Sequence, residues 1–118
     1  MSPDLRARTN ALCAALPGAV LDHPWDAGHD AWKIGGKMFA VIGAKGSHVS
    51  VKTDSVETAA MLIEAGLAER AAYLHRSWVA VPLSADAAEL SHRIRQSWRA
   101  VRAGLPKRVQ ATLPDPEA

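Results

Sequence analysis

Apolar positions along this chain change their spacing several times, and each change marks a predicted element. Leu5, Leu12 and Leu16, with Thr9 between them, recur at helical spacing, while Arg6, Arg8 and Asn10 fall mostly off that line. Ser2-Pro3-Asp4 suits a helix start: Ser2 to cap, Pro3 for the first helical position and Asp4 for the positive end of the dipole. Pro17-Gly18 ends that helix. Residues 19–23 then read as a short strand interrupted by Pro24, and 25–30 as a loop. In 31–34 the period falls to two, with Trp32 and Ile34 on one face and Lys33 on the other. Gly35-Gly36 predicts a two-residue hairpin turn. Residues 37–44 are nearly continuous in apolar side chains, as in a central strand covered on both faces. After the turn Lys45-Gly46-Ser47, residues 48–52 alternate cleanly, with Val49 and Val51 inward.

A second helix is predicted over 55–64, capped by Asp54 or Thr53, with Val56, Ala59, Ala60 and Ile63 as its apolar stripe and Gly66 at its end. Residues 67–75 show no clear period. A strand over 77–81 stops at Pro82, and Ser84 or Asp86 caps a last helix that runs to about Ala103. Asp86 and Glu89 have capping-box spacing, and Gly104-Leu105-Pro106 closes the helix. The pattern predicts one α+β domain over 1–110. It is an antiparallel meander of four to five strands covered by N-terminal, middle and C-terminal helices. Residues 111–118, with two prolines and two acids, are expected to form a disordered tail.

Composition narrows the class. A chain of 118 residues is one domain by size. No apolar run approaches the ~20 residues of a membrane span. The start Met-Ser-Pro-Asp-Leu-Arg has no long apolar region before a cleavage site, so neither a membrane nor a signal peptide is expected. The single Cys13 cannot form an internal disulfide and sits in an apolar helical pattern, which reads as a buried, inert thiol and fits a cytoplasmic location. The net charge of +2 hides an asymmetry: residues 1–90 carry eight basic and ten acidic side chains, whereas 91–110 carry six basic and none acidic. The pI near 9.0 therefore belongs to one segment.

Three stretches together resemble the MmcQ/YjbR family of small bacterial proteins. They are Ala15-Leu16-Pro17-Gly18; Trp32-Lys33-Ile34-Gly35-Gly36-Lys37-Met38-Phe39-Ala40 with Val49-Ser50-Val51-Lys52; and Tyr73-Leu74-His75-Arg76-Ser77-Trp78-Val79-Ala80-Val81 with Ser97-Trp98 and Leu105-Pro106-Lys107. The resemblance spans about residues 5 to 107. It implies a CyaY-like fold and the label of a DNA-binding protein with a double wing of hairpins. Family members often have Asn-Lys where this chain has His75-Arg76, so basic character persists at Arg76 while imidazole replaces an amide.

Two constellations carry candidate chemistry. Arg95, Arg99 and Arg102 share one face of the last helix, where planar guanidinium forks suit phosphate oxygens of DNA or another polyanion. Lys37 and Lys45 beside the hairpin turns, and Arg76 at the start of a strand, would be secondary contacts. The plainer reading is a solvated helix face and lysines that discourage edge pairing. The second constellation is Trp25, His29, Tyr73, His75 and Trp78, which would line a pocket for a small molecule or protein. Against that, Trp32 and Trp78 read as core anchors on facing strands. Five histidines share no HxH, HxxxH or HExxH spacing, so no metal or other cofactor is expected. There is no GxSxG and no GxxxxGK[ST], and Gly35-Gly36-Lys37 precedes a strand rather than a helix, so no catalysis is expected. The leading expectation is a nucleic-acid-binding or regulatory protein, the alternative a ligand-binding module. A monomer or weak homo-oligomer, its basic helix docked on another copy's acidic surface, completes the set.

Overall fold

The structure is a computed structural model that describes residues 4–25 and 28–115. The expected roles of Ser2 and Pro3 and the end of the expected tail, 116–118, lie outside the described residues. Among the described residues ten elements follow in order: α1 Leu5–Ala14, β1 Val20–Asp22, β2 Asp30–Ile34, β3 Lys37–Ile42, β4 His48–Lys52, α2 Val56–Glu64, β5 Glu69–Arg70, β6 Trp78–Pro82, α3 Ala87–Ala103 and α4 Lys107–Gln110. The six strands form one antiparallel sheet in the order β1-β2-β3-β4-β6-β5, a four-strand meander extended by β6 and its short neighbour. The α+β class and the helix-covered antiparallel sheet agree with the pattern read from the sequence. β5 is the added strand, only two residues long, in the segment that showed no period.

Helix starts differ in detail. Asp4 caps α1 by accepting from Ala7 N at 2.9 Å. Ser55, not Asp54 or Thr53, caps α2, because the Thr53 hydroxyl is buried between the carbonyls of Ser55 and Ser77. In α3 the cap is Asp86, but Glu89 turns away to pair with Arg93 at 3.1 Å. α2 buries Ala59 and Leu62, whereas Ala60 and Ile63 of the expected stripe face outward. That face is selected by the contact of α2 with β5 and β6.

All three longer helices pack on one face of the sheet. Leu90, Ile94, Trp98 and Val101 of α3 join Cys13 and Leu16 beside α1, Ala59 and Leu62 of α2, and Val49, Val51, Val79 and Val81 of the strands. Trp98, fully buried, donates its indole N–H to Pro17 O at 3.0 Å. Gly35 and Gly36 adopt φ of +57° and +84° in the β2–β3 turn. A Cβ on Gly35 would come within 2.5 Å of Leu105, so this turn must be bare for the chain after α3 to close over it.

A register shift in the β2–β3 pairing lets consecutive Phe39 and Ala40 both reach the core. The β3–β4 pairing starts only at Ala40 opposite Val51. Just beyond that pair, the Ser97 hydroxyl of α3 accepts from Lys52 N at 2.8 Å and donates to Phe39 O at 2.5 Å. It thus stands in for the missing ladder contact. Ser97→Ala leaves both backbone groups buried and unpaired, with an expected cost of about 1–3 kcal/mol. Urea unfolding of the variant against the parent chain measures it; an unchanged midpoint would contradict this role.

Candidate functional site

The strand register leaves Val41, Ser50, Lys52, Trp78 and Ala80 on the face away from the helices. Segment 71–76 turns back over this face. Ala72, Tyr73 and Leu74 share with Val41 and Ser50 a groove of about 560 Å³, whose other wall is Trp25 and His29. Trp25 and His29 pack edge to face, with ring centroids 5.6 Å apart. The groove continues past Gly43 and Ser50 towards Lys45 and His48. Trp25 is 58% exposed and Tyr73 fully so. Tyr73 also holds φ of +68°, a left-handed conformation rare for a bulky residue. The Arg70 guanidinium spans its loop by donating to Ala71 O and Leu74 O.

Trp25, His29 and Tyr73 are therefore brought together, as the pocket expectation requires. His75 and Trp78 are not part of this groove. The His75 ring turns back on Ser77, accepting from its backbone N–H at 3.1 Å. Trp78 is buried on the same sheet face but at the opposite end of β4, paired with Lys52. Trp32 and Trp78 are not on facing strands: β3 and β4 separate them. Trp32 belongs to the core on the helix side, where it donates to Asn10 Oδ1 at 2.8 Å.

The basic candidates scatter. Arg95 and Arg99 are exposed and make no hydrogen bond or ion pair among the described residues. Arg102 instead donates to Pro114 O at 3.0 Å and reaches Gln110 O. That contact, with Leu113 packed on the core, lays residues 111–115 against the domain. Lys37 and Lys45 lie at opposite ends of β3, whose six residues span about 20 Å. Arg76 is exposed near the Lys37 end, just before β6. Lys33 is held by Asp22 at 2.7 Å, and that hydrogen bond keeps the Asp22 carboxyl below its ordinary pKa. Cys13 is fully buried, and burial pushes its thiol up to about 12, which removes it as a nucleophile. Among the described residues no cluster of three metal-ligating side chains occurs, and no helix is long and apolar enough to cross a membrane.

The family model for YjbR matches residues 14–100. The chain belongs to the YjbR family. No curated protein matches it. The crystal structure of Deinococcus radiodurans protein DR2400, which carries the family-model domain DUF419, is similar at a TM-score of 0.75 and 24% identity. That likeness covers 90% of this YjbR-family chain and 86% of the other, and it concerns the fold.

The residues that build the groove's frame had no signal in the spacing of this YjbR-family sequence. Arg6 donates through Nε to Asp30 at 2.9 Å, through Nη1 to Gly43 O and through Nη2 to Gly28 O, both at 2.8 Å. One α1 guanidinium thus ties the loop carrying His29 to the end of β3. Asn10 joins Asp30 to Trp32, and His23 Nδ1 lies 2.7 Å from His29 O and 3.5 Å from Asp30 Oδ1. Burial alone raises the Asp30 pKa, but hydrogen bonds from Asn10 and Arg6 and the charges of Arg6 and His23 outweigh it and hold the carboxyl below its usual value.

A carboxylate with a depressed folded pKa contributes its stability fully above the unfolded value of about 3.9 and loses it as pH falls through the folded one. Asp30→Asn is expected to be clearly less stable than the parent at pH 7, with the deficit shrinking as pH falls below about 4. Urea midpoints at pH 7 and pH 3 check this, and a deficit that does not change with pH would be the wrong outcome.

Proposed function

We propose that this YjbR-family chain is a non-catalytic binding module whose site is the groove between Trp25–His29 and Tyr73. The observation that carries the reading is the pair of exposed aromatic rims, Trp25 and Tyr73, on either side of a floor made by Val41 and Ser50. Exposed aromatics at a concave site supply apolar contact area with few rotors to freeze. The cavity falls within the few hundred to about 1,000 Å³ usual for small-molecule sites. Tyr73 in left-handed backbone costs on the order of 1–3 kcal/mol, a strain that clusters at ligand clamps. The ligand class is a flat, largely apolar ring system.

Indole and quinoline titrated into ¹⁵N-labelled protein are expected to move the Trp25 indole N–H and the amides of Gly43, Ser50 and Tyr73. Trp25→Ala with Tyr73→Ala is expected to weaken binding by about tenfold or more, as loss of two aromatic contacts implies. Unmoved resonances, or a double variant that binds like the parent, would remove the proposal.

A second reading is contact with DNA or another polyanion through the outer face of α3. It is favoured by Arg95 and Arg99, exposed and unpaired among the described residues, with Lys107 and Arg108 also exposed beyond the helix. In fluorescence anisotropy with labelled duplex, Arg95→Ala with Arg99→Ala is expected to reduce the salt slope of log K by about 1.8, from about 0.9 per phosphate contact. An unchanged slope, or no binding at low salt, excludes this reading.

A further inference from the structure

A second cleft, of about 430 Å³, lies at the other end of the sheet, where the β2–β3 hairpin, the end of β4, the start of β6 and the end of α3 meet. Lys37 and Lys52 line it, with Trp78, Met38 and Leu74 from the sheet face and Val101 and Leu105 from the helix side. Among the described residues no carboxylate lines it. Lys37 has no hydrogen bond or ion pair among the described residues, and the Lys52 ammonium meets only the Ser77 hydroxyl, at 3.2 Å. Lys33, one strand pairing away, shows the contrast: it is neutralised by Asp22.

Trp78 supplies an independent observation. It is 9% exposed, yet its indole N–H makes no hydrogen bond among the described residues. The other two buried tryptophans both donate theirs, Trp32 to Asn10 and Trp98 to Pro17 O. The buried unpartnered side-chain atoms among the described residues are Arg8 Nε and Arg102 Nε; the Trp78 nitrogen is not one of them, so it reaches solvent and is open to an acceptor from outside. The last carbonyls of α3 are not bare towards an incoming anion: Gly104 N donates to Ala100 O and Val101 O, Leu105 N to Arg102 O, and Gln110 Nε2 to Ala103 O.

We propose that this cleft binds a small amphiphilic anion: a carboxylate or phosphate monoester head held by Lys37, Lys52 and the Trp78 indole N–H, with an apolar body against Met38, Val101 and Leu105. Two unneutralised ammoniums and an indole donor are complementary to one oxyanion head, and the apolar wall requires a body that a bare inorganic ion lacks. The site is separate from the aromatic groove, so either can stand if the other falls.

The test uses the full chain and three probes: 1-naphthyl phosphate, 1-naphthoate and uncharged 1-naphthol. In ¹H–¹⁵N spectra, the two anions are expected to move the Trp78 indole N–H and leave that of Trp25 in place. Lys37→Gln with Lys52→Gln is expected to weaken the anions by on the order of tenfold or more, towards the level of 1-naphthol. The preference between phosphate and carboxylate identifies the head. Trp25→Ala is expected to leave the titration unchanged. Should Lys52→Gln disturb folding, Lys37→Gln alone, at an exposed side chain, is expected to weaken the anions by about three- to tenfold. Equal binding of naphthol and naphthyl phosphate, shifts confined to Trp25, or lysine variants that bind like the parent would overturn the proposal.

Discussion

The seat of α3 across β3 and β4 is the contact on which the rest of the molecule depends. It is made by the apolar row Leu90, Ile94, Trp98 and Val101, and one buried hydroxyl completes it. Ser97 occupies the place where the β3–β4 ladder is interrupted, satisfying Phe39 O and Lys52 N at once. The irregularity in β3 and the hydroxyl in α3 are therefore one device. The shift lets Phe39 and Ala40 both fill the core, and Ser97 removes the penalty of the two backbone groups left over. The same contact fixes the Lys52 backbone, and with it the origin of a side chain that reaches the cleft beside Lys37 and Trp78.

Placing all three longer helices on one face leaves the other face with little to cover it. Segment 71–76 is the partial answer, and it divides that face into two concavities, with Leu74 lining both. The first has exposed aromatic rims and a frame tied by Arg6. The second has a buried tryptophan and two lysines. Their chemistries differ because the strands alternate: residues two apart share a face, but which of them meet depends on where each strand begins and ends. Stretches quoted for the family resemblance supply Lys37, Met38, Lys52, Leu74 and Trp78, and these converge on one cleft although they are spread over some forty residues.

Much of this architecture was legible in the sequence. The period of two in residues 48–52, the Gly35-Gly36 turn and the long stripe of α3 each correspond to an observed element, because local sterics and amphipathicity act over a few residues. β5 was not legible, since a two-residue edge strand has too few positions to show a period. Nor was the buried face of α2: Ala60 and Ile63 suit a stripe as well as Ala59 and Leu62 do, and only the position of β5 and β6 chooses between them. Of the aromatic cluster, Trp25, His29 and Tyr73 do meet, while His75 and Trp78 lie elsewhere. The row Arg95, Arg99 and Arg102 was correct as a helix face, yet Arg102 is drawn to the carbonyl of Pro114 by a chain reversal that no helical wheel contains.

The sequence by itself determined the α+β class, the order of the principal elements, the concentration of positive charge in 91–110 and the YjbR character of the chain. Those properties rest on neighbours along the chain, on composition and on local motifs. Only the tertiary structure decided that Arg6, Asn10 and Asp30 form one frame, that Trp32 and Trp78 lie on opposite faces, and that Lys37 and Lys52 share a cleft. The physical reason is the same in each case. Burial and hydrogen bonding between residues fifteen to nearly fifty positions apart in the sequence depend on strand order and register, which the spacing of side chains within any single element does not specify.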